Sequence, residues 1–124
     1  MQVVHGIHQL KTQVAKSVVT IGNFDGVHLG HREILSRVVN KANSLQAQAV
    51  VVTFQPHPRK ILHPEQEHFQ LFDFKDQERE LAKLGIDLLI AEPFSRNLSQ
   101  LTPEQFLVDY IIKPLSPEVL IVGY

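Results

Sequence analysis

Two kinds of apolar segment alternate along this chain, and that alternation constrains the fold more than any other feature. Ser17-Val18-Val19-Thr20-Ile21-Gly22 and Ala49-Val50-Val51-Val52-Thr53-Phe54 are short, β-branched runs. Such runs fit strands buried on both faces, as in a parallel sheet. Between them Ile34, Leu35, Val38, Val39 and Ala42 fall at helical spacing, which predicts a helix from about Leu29 to Gln46. Ile86–Ile90 and Val119–Gly123 predict a third and a fourth strand, and Lys75 to Leu84 a short polar helix closed by Gly85. Thr102-Pro103-Glu104-Gln105 offers an N-cap, a proline in the first helical position and a capping-box glutamine. The helix that follows carries Phe106, Leu107, Tyr110 and Ile111 and is expected to stop before Pro114. Strand–helix–strand alternation of this kind implies an α/β fold, with helices on both faces of a parallel sheet and ligands at the carboxyl ends of its strands. The fourth strand is expected beside the first.

Composition narrows the chemistry. The 124 residues carry 12 basic and 13 acidic side chains, a formal charge of -1. No basic footprint for nucleic acid is present, so phosphate recognition has to be local. Zero cysteines exclude disulfides, thiolate nucleophiles and cysteine-ligated metals. No apolar run is long enough to span a bilayer, and the first ten residues do not read as a signal peptide. The expectation is a soluble, cytoplasmic protein with no membrane partner.

Two segments are chemically unusual, and both follow a predicted strand directly. Gly22-Asn23-Phe24-Asp25-Gly26-Val27-His28-Leu29-Gly30-His31 joins the first strand to the first helix. Glycines let backbone approach a ligand closely, and His28 and His31, three residues apart, share a face of a helical turn. Free amides and the positive end of the helix dipole favour an anion there, and two imidazoles add directed donors. The segment lacks the lysine-serine/threonine ending of a Walker loop and is not a Gly-x-Gly-x-x-Gly fingerprint. A zinc reading of His-x-x-His finds only Asp25 close by, so no metal site is assigned. Asp25 either orients a ligand or accepts backbone amides and holds the turn. The second segment, Thr53-Phe54-Gln55-Pro56-His57-Pro58, opens a proline- and histidine-rich connection too irregular for a regular element.

His28-Leu29-Gly30-His31 resembles the His-x-Gly-His signature of the nucleotidylyltransferase superfamily, and Thr53–Pro58 is similar to the Thr-Phe-x-Pro-His-Pro motif of bacterial bifunctional riboflavin kinase/FAD synthetases, in their N-terminal FMN adenylyltransferase part. The likeness extends over Gly85-Ile86-Asp87, Pro93-Phe94, Leu101–Phe106 and Val122-Gly123. It implies a Rossmann-like sheet of nucleotidylyltransferase type that joins FMN to the AMP portion of ATP with Mg²⁺, forming FAD and releasing pyrophosphate. By that resemblance His28 and His31 are the catalytic contacts to ATP phosphates. Gly22, Asn23, Phe24, Asp25 and Gly30 shape the nucleotide site, and Phe54, Pro56, His57 and Pro58 border the flavin.

The family continues beyond a fourth strand with further nucleotide-site motifs and a riboflavin kinase barrel. Residues 1–124 are therefore expected to be the N-terminal part of the adenylyltransferase domain, incomplete by themselves. The alternatives are a cytidylyltransferase-like enzyme for an alcohol phosphate, or a nucleotide- or flavin-binding module without chemistry.

Overall fold

The computed structural model describes residues 1–24, 29–55, 62, 65 and 74–122. Five strands form one parallel sheet: β1 (Gln2–Val4), β2 (Ser17–Ile21), β3 (Gln48–Phe54), β4 (Leu88–Glu92) and β5 (Pro117–Val122), in the order β1-β4-β3-β2-β5. The expected α/β architecture is present, and β5 lies beside β2 as anticipated, with Ile21 in register with Val122. Val18, Val19, Val50, Val51, Leu89 and Ile90 are fully buried, which is why these strands read as continuous apolar runs rather than alternating ones.

Helices cover both faces. On one face α1 (Leu29–Leu45) and α2 (Phe74–Leu84) press Leu35, Val38, Ala42 and Leu81 onto Val18, Ala49, Val51 and Leu89. On the other, Ile111 and Leu115 close over Val19, Val50, Val52, Leu88 and Ile90. A short helix, α3 (Arg96–Ser99), follows β4, with the Ser95 side chain accepting the Leu98 N–H as its cap. The capping box at α4 (Pro103–Phe106) is complete: the Thr102 hydroxyl accepts the Gln105 N–H, and the Gln105 side chain accepts the Thr102 N–H.

Three expectations are corrected. The chain has a fifth strand, β1, at the open side of β4, whose three residues carry too little periodicity to be read. The third predicted strand begins at Leu88 rather than Ile86, because Ile86 is consumed in ending α2. Its N–H bonds Leu81 O while the Gly85 N–H bonds Ala82 O, the Schellman pattern, with Gly85 at φ +98°. The last helix does not stop before Pro114. It widens into a π-helical stretch, Leu107–Ile112, and continues as α5 (Lys113–Leu115). Proline removes an N–H and crowds the carbonyl four residues back. The wider turn, in which Lys113 N–H reaches Val108 O, carries the helix past it.

Candidate active site at the carboxyl edge of the sheet

Parallel pairing puts the ends of β2 and β3 side by side, so the two unusual segments leave the same edge of the sheet, as expected. Gly22 N–H bonds Val52 O at 3.1 Å, and the Thr53 hydroxyl donates to Asn23 O at 3.2 Å. Phe24 turns its ring back over Gly22. Phe24 sits at φ +47° with its ring only 2% exposed, folded over Gly22. A Cβ on Gly22 would stand 2.9 Å from Phe24 Cε2, so this position requires glycine for space rather than for backbone angle. The Phe24 ring meets the His31 imidazole edge-on, centroids 5.1 Å apart.

His31 lies in the first turn of α1, half-buried, and Gly30 belongs to the same turn. The predicted contacts Asp25, His28, Pro56, His57 and Pro58 lie outside the described residues. Of the site residues read from the sequence, the structure thus brings Gly22, Asn23, Phe24 and His31 together beside the end of β3, where Phe54 stands. Asn23 Oδ1 and Thr20 Oγ1 are buried with no hydrogen-bond partner among the described residues. The start of α1 is long enough, with 17 residues behind it, to present amides and a positive dipole end to an anion.

Phe54 opens a second feature on the opposite face of the same edge. Its ring contacts Phe94 edge-on at 5.6 Å and Phe106 at 5.9 Å, and Phe106 stacks on Tyr110 at 5.2 Å with 16° between planes. In register with Phe54 on β4 is Glu92, 6% exposed, whose Oε1 accepts the Ile7 N–H at 2.9 Å. Phe94, Phe106, Tyr110 and Glu92 were not identified as site residues from the sequence. The i, i+4 spacing of Phe106 and Tyr110 was a readable sign of one aromatic face, although that pattern is equally a sign of core. Gln77 was also missed: it is 3% exposed on α2, and its Nε2 lies 3.5 Å from Asn23 O.

A doubly covered parallel sheet with a glycine turn, a helix start and histidine at its carboxyl edge defines an α/β protein whose candidate site lies at that edge. The FAD synthetase family model matches residues 10–124, and the chain belongs to that family. It is 32% identical to the bifunctional riboflavin kinase/FMN adenylyltransferase of Escherichia coli K12 over 99% of this chain and 40% of that protein. The protein of the same name from Pseudomonas fluorescens is 35% identical over 99% of this chain and 39% of its own length. That of Bacillus subtilis is 34% identical over 90% of this chain and 36% of its length. This chain therefore spans well under half of the curated relatives it matches. Among solved structures, a crystal structure of a macrolide-efflux protein from Streptococcus pneumoniae superposes with a TM-score of 0.84 at 26% identity, over 99% of this chain and 41% of that one. Among the described residues no helix is long and apolar enough to cross a membrane.

Proposed function

We propose that this chain belongs to an FMN adenylyltransferase that makes FAD from ATP and FMN. The FMN phosphate oxygen attacks the α-phosphorus of ATP, the bond from that phosphorus to the β-phosphate bridge breaks, and pyrophosphate leaves. The nucleophile is already anionic at neutral pH, so the site has no need of a strong general base. Orientation and stabilisation of developing charge supply the rate. His28 and His31, with the amides at the start of α1, are the donors for the triphosphate, and Gly22, Asn23, Phe24, Asp25 and Gly30 form its bed. Phe54, Pro56, His57 and Pro58 face the flavin, joined in this reading by Phe94 and Phe106.

The observation that carries the proposal is the bond from Thr53 to Asn23 O, which ties the strand leading into the Pro-His-Pro segment to the loop leading into the histidine helix. Two substrates held by those segments would meet at one edge. Among the described residues no three His, Cys, Asp or Glu side chains gather into a metal cage. In this reading Mg²⁺ would arrive on the nucleotide's phosphates, taking most of its ligands from water and phosphate. The ion would neutralise charge on the departing pyrophosphate.

Residues 1–124 are, in this reading, the N-terminal part of the adenylyltransferase domain, and riboflavin phosphorylation is assigned to a separate domain of the whole protein. The test is an assay of the full-length protein with ATP, Mg²⁺ and FMN, followed by chromatography for FAD. FAD formation is expected. Turnover of an alcohol phosphate with CTP, and none of FMN with ATP, would replace this reading by a cytidylyltransferase.

A further inference from the structure

We infer that Thr53 and Gln77 act as a pair of positioning residues that set the His31 ring through the Asn23 carbonyl. The inference rests on the reading above, in which His31 meets the ATP phosphates. Two donors from different elements converge on one backbone oxygen: Thr53 Oγ1 from the end of β3 at 3.2 Å and Gln77 Nε2 from the first half of α2 at 3.5 Å. Both side chains are nearly sealed from solvent, at 2% and 3% exposure. Gln77 is the more telling of the two. It occupies the stripe of α2 that buries Leu81, where an apolar side chain would pack without any polar group to satisfy.

The oxygen they hold belongs to the peptide just before Phe24. Its direction sets that peptide plane, and Phe24 then continues at φ +47°, a region that residues with a Cβ seldom occupy. A strained residue persists only where its surroundings over-determine it. Here the surroundings are the two donors on one side and the tight seat of the ring over Gly22 on the other. The product of the strain is the T-shaped contact of the Phe24 ring with the imidazole of His31. The ion pair from Arg32 to Glu80, 3.1 Å, ties α1 to α2 one turn beyond Gln77, so the helix that bears the donor keeps its place against the helix that bears the histidine. Released from Thr53 and Gln77, the peptide is free to turn over, Phe24 leaves its seat and the imidazole loses its wall.

The experiment compares full-length wild-type protein with Thr53→Val, Gln77→Leu, the double variant and Thr53→Ser. Hydrogen exchange at the Asn23 and Phe24 amides is read first, then kcat and KM for ATP and FMN. Exchange is expected to quicken by about tenfold or more in the double variant, and kcat to fall by roughly ten- to a hundredfold, the scale of a misplaced catalytic group. KM for FMN should stay within about twofold, and Thr53→Ser, which keeps the donor, should restore kcat. Unchanged exchange and kcat in the double variant overturn the inference. So does a parallel shift of kcat, both KM values and Tm, which marks a merely structural pair. Should the double variant not fold, the near-isosteric Thr53→Val carries the same comparison. A wild-type protein that makes no FAD defeats the functional reading instead, and the exchange rates still decide whether the clamp exists.

Discussion

The Phe24 ring and the His31 imidazole pack in a T-shaped arrangement, with centroids 5.1 Å apart and planes inclined by 72°. T-shaped pairs are a favoured aromatic geometry, so the contact orients the imidazole by packing. Phe24 is itself 2% exposed and follows β2, so this one residue packs against the first turn of α1.

His31→Ala in the full-length protein should therefore act on chemistry more than on the acceptor. Loss of one charge-stabilising donor costs about 2.7–4 kcal/mol in comparable oxyanion sites, a hundred- to thousandfold in kcat. His28→Ala should behave alike. FMN affinity, measured by flavin fluorescence, is expected to change little. Wild-type turnover in both variants would remove the histidines from the mechanism.

Gly22→Ala should unseat Phe24 without touching any charged group. The added Cβ would lie 2.9 Å from Cε2 and 3.0 Å from Cζ of a ring that is buried and cannot swing aside freely. Overpacking of that kind costs about 1–3 kcal/mol. The expected outcome is a lower midpoint in urea together with a raised KM for ATP. An unaltered midpoint would mean that the loop has room the structure does not show.

How much of this was legible depends on where each signal lives. β2 and β3 were readable because burial on both faces leaves nothing but apolar, β-branched side chains, and their parallel pairing follows from the helix between them. β1 was not, because Gln2–Val4 is too short for a pattern and, among the described residues, pairs along one side. Ile86 looked like strand because an apolar residue after glycine serves a Schellman cap and a strand equally well. Pro114 looked like a helix stop, and a π turn absorbs it. At the candidate site, Gly22, Asn23, Phe24, His31 and Phe54 are the motif residues that the structure places at one sheet edge. Gln77 was not, although a polar residue in the stripe Phe74-Gln77-Leu81-Leu84 was a signal available in the sequence. The partner that explains Gln77, a carbonyl 54 positions away, exists only in three dimensions.

The aromatic group at the end of β3 makes a prediction about the acceptor. Phe54→Ala removes the ring that joins Phe94 to Phe106, and base or flavin stacking on aromatic faces is worth about 1–3 kcal/mol per ring. FMN affinity should fall by roughly ten- to a hundredfold while ATP affinity holds. In wild-type protein, FMN should slow hydrogen exchange over residues 54–58, and an alcohol phosphate should not. Equal protection by both ligands would take the flavin off this segment.

The last prediction concerns Glu92, a carboxylate that is 94% buried beside those rings and is spent on the amino-terminal segment. Its Oε1 takes the Ile7 N–H at 2.9 Å, one residue after Gly6, which sits at φ +112° with no room for a Cβ: His8 would be 2.6 Å away. The chain therefore reaches Glu92 through a tight, glycine-dependent bend, and the bond holds the turn Ile7–Gln9 against the end of β4. Glu92→Leu leaves the Ile7 N–H without its acceptor, a loss of about 1–3 kcal/mol, partly offset because a polar side chain no longer has to be buried there. Glu92→Gln keeps an acceptor oxygen in the same place and should lose less. Exchange at the Ile7 amide separates the two cases: it should quicken in Glu92→Leu and stay slow in Glu92→Gln. Because β1 pairs, among the described residues, with β4 alone, loosening at Ile7 should spread to the Val3 and Val4 amides and leave β2 and β3 protected. Equal exchange in both variants would show that packing of Ile7, not the carboxylate, holds the segment down.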